Sequence, residues 1–163
     1  MRDSRRTLLA GLGALALSLA ALCTAGPAGA APADRDLGQV LTMPAAPSAA
    51  ELPAGAAAEP PTAWPKPAGI THIAARESIT CASGNLCAAV WDATQGDYVV
   101  YSFYYCDTYT LSNWVGTGSY RNNQTGGVTA YFYGQNGQTV TPVGPGGSSN
   151  SYNWGPIWSI KNC

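Results

Sequence analysis

Charged side chains are scarce in this chain: only 10% of its 163 residues are Asp, Glu, Lys or Arg, against about a quarter in ordinary soluble proteins. The formal net charge is -1, so the sequence offers no basic surface for nucleic-acid phosphates or anionic lipids. We therefore predict no nucleic-acid partner. The length suits one domain, which we expect to be monomeric.

Acid-base groups are scarcer still. From Cys81 to Cys163 there is neither His nor Glu, which excludes from this segment a Ser-His-Asp triad, a His-based zinc site and a glutamate general acid. Asp92 and Asp97 form the one candidate glycosidase pair, but Asp beside a glycine is ordinary turn composition. The only histidine, His72, is interpreted as a solvated side chain. We predict no catalytic residue, no metal ligand, no cofactor and no enzyme activity.

The first 30 residues have the pattern of an export signal. Arginines at the start precede an apolar run, Leu8–Leu22, and small residues end at Ala30, where we predict cleavage. The run is shorter than the roughly 20 residues that span a bilayer, although a membrane anchor is the alternative. We therefore predict a secreted, extracellular protein without membrane association after cleavage. The paired arginines leave the general and the twin-arginine export routes open.

Residues 31–80 are dominated by two residue types, with 12 Ala and 8 Pro between Ala31 and Gly69. Proline removes helix hydrogen bonds and favours extended chain, and few large apolar side chains are available to offset the entropy of ordering. The composition predicts a disordered linker or a pro-segment, although residues 70–80 taken alone are ambiguous.

Residues 81–163 contain nine Tyr, four Trp, two Phe and only five charged residues. Short aromatic and β-branched runs alternate with Gly/Asn clusters, a pattern typical of strands joined by turns. We predict an all-β domain. Apolar side chains at both alternating sets of positions over 98–105 predict a strand covered on both faces.

An internal repeat divides this domain. At an offset of 40 residues, identical side chains occur at Asn113/Asn153, Trp114/Trp154, Ser119/Ser159 and Asn122/Asn162. Halves of about 40 residues, 82–122 and 123–163, suit two tandem Greek-key motifs packed as a sandwich. The tryptophans are interpreted as equivalent core anchors and the serines as hydroxyls that tie down a turn.

Four cysteines remain after leader removal, an even number that favours disulfides in an exported chain. Ser83–Asn85 can turn tightly enough to pair Cys81 with Cys87, which leaves Cys106 for Cys163. The Cys106–Cys163 bridge would join the first half of the domain to the last residue of the second half.

The strongest candidate for a binding loop is 141–153, in which two prolines stiffen a Gly/Ser-rich stretch. A long connection without function is the alternative. Its candidate contact residues are Thr141, Pro142, Val143, Pro145 and Tyr152.

The segment CASGNLC at 81–87, followed by aromatic strands and LSNW, resembles the secreted actinobacterial metalloproteinase-inhibitor family, over about the last 83 residues. The resemblance implies a βγ-crystallin-like double Greek key that inhibits an extracellular zinc endopeptidase with a rigid loop. This chain lacks the family's second short disulfide, so no reactive bond is assigned. The crystallin calcium motif is unmet at 122–127. The alternative is a non-inhibitory extracellular binding module for cell-wall glycan or a surface protein.

Overall fold

The computed structural model describes residues 39–52, 54 and 59–163; the predicted signal peptide lies outside them. These residues form twelve strands and no helix, which confirms the all-β prediction, and they include no helix that meets the length and hydropathy needed to cross a membrane. The strands are β1 (Gln39–Thr42), β2 (Thr62–Trp64), β3 (Gly69–Ile73), β4 (Ser78–Cys81), β5 (Asn85–Asp92), β6 (Asp97–Phe103), β7 (Thr108–Ser112), β8 (Thr117–Asn123), β9 (Ala130–Tyr133), β10 (Thr139–Val143), β11 (Ser148–Asn153) and β12 (Ser159–Lys161).

Two antiparallel five-stranded sheets pack face to face as a sandwich. Sheet I has the order β11-β8-β5-β6-β3, and sheet II the order β10-β9-β12-β7-β2. Alternation along each strand sends every second side chain into the space between the sheets. The core there is aromatic; its largest fully buried members include Trp154, Tyr109, Phe103 and Phe132.

The last eight strands form two corresponding sets of four, β5–β8 and β9–β12. Each set gives its third strand to the other sheet: β7 lies beside β12 in sheet II, and β11 lies beside β8 in sheet I. Each sheet therefore contains strands from both sets. Neither set can bury its apolar side without the other.

Two buried asparagines fix these crossings reciprocally. The amide of Asn122, in β8, donates to the carbonyl of Val143 at 2.8 Å, and the amide of Asn162 donates to that of Phe103 at 3.0 Å. The two asparagines are 40 positions apart, and so are the two residues whose carbonyls they bond. Each set therefore holds the end of the second strand of the other set, at Val143 of β10 and at Phe103 of β6. A side-chain amide suits this place because it satisfies carbonyls that the strand ladders leave unpaired.

The paired tryptophans are core anchors, as predicted. Trp114 and Trp154 meet edge to face with ring centroids 4.9 Å apart, and the Trp154 indole donates to the carbonyl of Ala89 at 2.8 Å. Gly118 is required beside them, because a Cβ there would overlap that carbonyl and the indole. The prediction for the serines is wrong at Ser119, which is buried within β8.

The prediction of a disordered segment at 31–80 is wrong for the residues described. There β2 pairs with β7, β3 pairs with β6, and β1 pairs with β4. The physical reason for β2 and β3 is that an open sheet edge stabilises an added strand through backbone hydrogen bonds, and the residues of both strands include no proline. β1 and β4 pair with each other in a separate two-stranded sheet. The packed domain therefore includes strands before the predicted boundary at Cys81.

This N-terminal segment (39–52 and 59–80) also covers the outer face of sheet I. Leu41 and Met43 are 0% and 2% exposed and pack with Tyr98 and Val100 in a second core. The prediction that the strand over 98–105 is covered on both faces is confirmed for β6, in which Tyr98 to Tyr101 are all buried. The outer face of sheet II receives no such cover from the described residues.

Both predicted disulfides are present. Cys81 and Cys87 have Cα atoms 5.8 Å apart, and Cys106 and Cys163 have Cα atoms 5.2 Å apart. Both distances lie in the usual range for a bridge. Two disulfides are consistent with an extracellular protein.

Candidate binding surface

The residues predicted as one binding loop are divided between two strands in different sheets. Thr141, Pro142 and Val143 belong to β10, and Tyr152 belongs to β11. Val143 is buried, so it is not available to a partner. The Thr141 and Tyr152 hydroxyls lie 2.6 Å apart and tie the strands together. Burial raises the pKa of Tyr152, and the hydrogen bond with Thr141 opposes that rise.

Only four residues, 144–147, connect β10 to β11, and Pro145 among them is exposed. Gly147 N donates to Gly144 O at 3.0 Å, while Gly146 N and Gly147 O bond the backbone of Asn122 at 2.9 and 2.8 Å. Gly146 has φ of 72°, in the left-handed region that glycine adopts most readily. The predicted loop is thus a short turn fastened to β8.

A broader surface is the outer face of sheet II, because its strands alternate buried and exposed side chains. In β7 the pattern sends Tyr109 and Leu111 into the core and Thr108, Thr110 and Ser112 outward. The same alternation in β9 leaves Tyr131 and Tyr133 on the outer side of buried Phe132.

Aromatic rings stand at both ends of a register row across this face. Tyr133 pairs with Ser159, Ser159 with Thr110, and Thr110 with Trp64. Trp64 is 75% exposed, and Tyr131 and Tyr133 are stacked with centroids 6.3 Å apart. At about 4.8 Å between neighbouring strands, the row separates Tyr133 from Trp64 by about 14 Å. We call these three aromatic residues and the hydroxyl residues between them the aromatic face.

The aromatic face is polar and has one positive charge beside it, because the outward-facing Lys161 pairs with Tyr131 in the register. Lys161 is the only ionisable group with a formal charge at neutral pH among the strand residues of sheet II. Hydroxyls offer hydrogen bonds and the rings offer flat apolar contact, so the face suits an uncharged polar ligand or a protein surface. Sequence reasoning missed it. The alternation of TYTLS and AYFY is visible in the chain, but the position of Trp64 depends on the pairing of β2.

A second grouping arises because β3 brings the only histidine to the domain. His72 Nδ1 lies 2.9 Å from Asp97 Oδ1, and Asp92 lies at the same turn. The sequence interpretation treated His72 as a solvated side chain beside a linker; the structure pairs it with Asp97. The sequence alone indicates a carboxylate pair at Asp92 and Asp97, and it gives no sign that His72 lies beside them.

Comparisons with protein-family models, with curated proteins and with solved structures give no match for this chain.

Proposed function

We propose that this protein is a secreted inhibitor of an extracellular peptidase, built as two Greek keys of the βγ-crystallin arrangement. The observation that carries the proposal is the strand order, in which each four-strand set gives its third strand to the other sheet. The Cys81–Cys87 bridge supports the proposal, because the resemblance to actinobacterial metalloproteinase inhibitors implies a short disulfide at these positions. Inhibition by obstruction requires a stable binding surface and no catalytic group.

The inhibitory element that we propose is the turn 144–147, rather than the whole stretch 141–153. Pro145 is exposed at this turn, and the backbone and side chain of Asn122 hold the residues around it. A segment that is already ordered loses little conformational entropy on binding, which favours tight insertion into a peptidase cleft.

The test is a titration of a thermolysin-like zinc endopeptidase with the purified protein. We expect activity to fall as the protein approaches an equimolar amount. Pro145→Glu is expected to weaken inhibition at least tenfold by placing a charge in the contact. Gln135→Glu, at the exposed turn between β9 and β10, is the matched control and is expected to inhibit normally. Undiminished cleavage in excess protein would count against the proposal, as would equal inhibition by both variants.

The aromatic face favours a second candidate function, the binding of a neutral cell-wall polysaccharide. Flat rings at Trp64, Tyr131 and Tyr133, with hydroxyls between them, match the apolar faces and hydroxyl edges of sugar rings. Little charge needs to be desolvated on such a surface. The broad outer face of a sheet is also better shaped to bind an extended polysaccharide chain than to enter the narrow cleft of a peptidase.

Retention on insoluble chitin and on purified peptidoglycan tests this second function. The double variant Trp64→Ala, Tyr133→Ala is expected to lose retention, whereas Tyr104→Ala, which removes an exposed ring outside the aromatic face, is expected to keep it. Equal retention of the two variants would exclude the aromatic face as the glycan site. Passage of the wild-type protein without retention on either polymer would exclude the function.

A further inference from the structure

Three side chains with metal-binding atoms meet where β3 passes the turn between β5 and β6. They are His72, Asp92 and Asp97, and one ligand atom from each lies within 4.8 Å of the others. Each comes from a different strand. The N-terminal segment therefore supplies the nitrogen ligand, and the β5–β6 hairpin supplies the oxygen ligands.

The backbone register places these groups together. Asp92 and Asp97 are direct cross-strand partners at the closed end of the β5–β6 hairpin. On the other side of β6, His72 pairs with Val99, so that Asp97 is its diagonal neighbour two residues along. Direct and diagonal neighbours on one side of an antiparallel sheet are within side-chain reach. The cluster is thus built into strand pairing rather than into a loose surface loop.

The cluster has little positive charge to balance its carboxylates. Asp92 is only 2% exposed, and its Oδ1 accepts hydrogen bonds from neutral donors alone, the Thr94 amide at 2.9 Å and the Thr94 hydroxyl at 2.6 Å. Among the described residues the contact between His72 and Asp97 is the only one with salt-bridge geometry, and it carries a positive charge only when the imidazole is protonated. Like charges directly opposite each other destabilise a sheet, and a buried carboxylate requires a compensating partner.

We propose that His72, Asp92 and Asp97 bind one divalent transition-metal ion of the zinc class. One imidazole nitrogen with carboxylate oxygens is a donor set that zinc accepts, whereas calcium and magnesium prefer oxygen alone. The 2.9 Å between His72 Nδ1 and Asp97 Oδ1 is the length of a hydrogen bond. Two ligands of a tetrahedral ion at about 2.1 Å lie about 3.4 Å apart, so an ion that replaces this hydrogen bond requires the two atoms to separate by about 0.5 Å.

Exposure is consistent with this assignment. The side chains of His72 and Asp97 are 44% and 26% exposed, so an ion can reach the site from solvent and keep water as its remaining ligands. Thr94 holds the buried Asp92 carboxylate in place, so we expect the more exposed His72 and Asp97 side chains to make most of the movement that brings the three ligands around one ion. A bound ion would link β3 to the hairpin, and so fasten the N-terminal segment to the domain.

The test uses the full mature protein, without a histidine tag, after treatment with EDTA and removal of the chelator. We expect calorimetry with zinc chloride to show one saturable site, and elemental analysis after dialysis to find one zinc per chain. His72→Gln and Asp97→Asn should each weaken zinc binding at least tenfold. Asp107→Asn, which changes an exposed carboxylate elsewhere, is the matched control and should bind as the wild type does. Millimolar calcium or magnesium should not displace the zinc.

A second measurement separates a metal site from surface adsorption. Zinc is expected to slow amide hydrogen exchange in β3 of the wild type and to leave it unchanged in His72→Gln, whose unfolding midpoint without metal should match that of the wild type. Absence of saturable zinc binding, or equal affinity in His72→Gln and the wild type, would overturn the proposal.

Discussion

The two four-strand sets have the same path, but only one of them carries the N-terminal segment. In the first set, β3 lies beside β6 and β2 lies beside β7; in the second, the corresponding strands β10 and β11 are the edges of their sheets. The two sets therefore differ at their second and third strands. β6 and β7 each have a strand of the N-terminal segment beside them, whereas β10 and β11 have none. The uncovered set is the one that carries the turn 144–147.

The corresponding tryptophans show the same difference at the level of one side chain. Trp154 donates its indole hydrogen to Ala89, in the strand at the centre of sheet I, whereas Trp114 donates to Thr62 of β2. Equal position in the repeat therefore does not mean equal role. Trp154 joins the two sets, and Trp114 attaches the covering strand.

The largest effect is expected from the disulfide that crosses between the two sets. The Cys106–Cys163 bridge spans 57 residues and the Cys81–Cys87 bridge spans 6, so loop-closure entropy predicts losses of about 4 and about 2 kcal/mol of unfolding free energy, respectively, when each is replaced by a serine pair. Urea unfolding of the two double variants measures both. Equal losses would show that the Cys106–Cys163 bridge between the sets stabilises the protein no more than the short Cys81–Cys87 bridge does.

How far the sequence predicts this fold depends on the range of the interactions. Pairing of Cys81 with Cys87 follows from five intervening residues, and the identity of Asn122 and Asn162 is visible in the repeat. The partners of those asparagines are not, because each bonds carbonyls of the other set. Ala/Pro-rich composition likewise predicts the wrong state for residues such as Ala63 of β2, since strand addition depends on an edge that exists only in the folded sheet.

The candidate sites also differ in whether local sequence or long-range strand pairing identifies their residues. Pro145 was identified as a contact residue from local composition, and the structure keeps it exposed at a turn. Trp64 lies in the stretch whose composition predicts a linker, and His72 lies beside that stretch. Nothing near either residue in sequence shows that β2 and β3 join the two sheets. A candidate site whose residues lie on different strands can be predicted only when the strand register is known. That register is set by pairing between segments far apart in sequence.

The next largest effect concerns the reciprocal asparagines. The Asn122 amide reaches the carbonyls of Val128, Val143 and Gly144, and its oxygen accepts from Gln124 N. Asn162 reaches two carbonyls, and its Oδ1 has no hydrogen-bond partner among the described residues. We expect Asn122→Ala to lower the unfolding free energy by about 3 kcal/mol and Asn162→Ala by about 2 kcal/mol. Denaturant unfolding measures both losses. A larger loss for Asn162→Ala than for Asn122→Ala would mean that the number of hydrogen bonds does not determine how much each asparagine contributes to stability.

A smaller contrast is expected between the tryptophans. Trp154→Phe removes a buried hydrogen bond to the Ala89 carbonyl, which joins the two sets, so we expect a global loss of about 2 kcal/mol. Trp114→Phe releases Thr62 instead, and we expect about 1 kcal/mol together with faster hydrogen exchange confined to β2 and its neighbours. Unfolding curves and exchange mapped by mass spectrometry separate the two. Faster exchange across the whole sandwich in Trp114→Phe would contradict the division of roles.

The smallest expected effect appears at alkaline pH and concerns the attachment of the N-terminal segment to the first set. Tyr98 and Tyr101, both in β6, donate their hydroxyl hydrogens to the carbonyls of Ala45 and Pro61. Burial raises the pKa of each phenol to about 12; the negative charge of Glu51 adds to the rise at Tyr98, and that of Asp92 adds to it at Tyr101. Ionisation would remove both donors and place a phenolate against each carbonyl.

The sign follows from where each state holds its proton. Below pH 10 both folded and unfolded chains keep these phenols protonated; between pH 10 and 12 the unfolded chain releases protons that the folded chain retains, so the unfolding free energy falls as pH rises. We expect at most about 1 kcal/mol per tyrosine at pH 11. Tyr98→Phe and Tyr101→Phe should flatten this decline, whereas Tyr104→Phe, at an exposed position, controls for loss of a phenol hydroxyl. If the decline is the same in Tyr98→Phe, Tyr101→Phe and the wild type, then ionisation of these two phenols is not what loosens the covering strands.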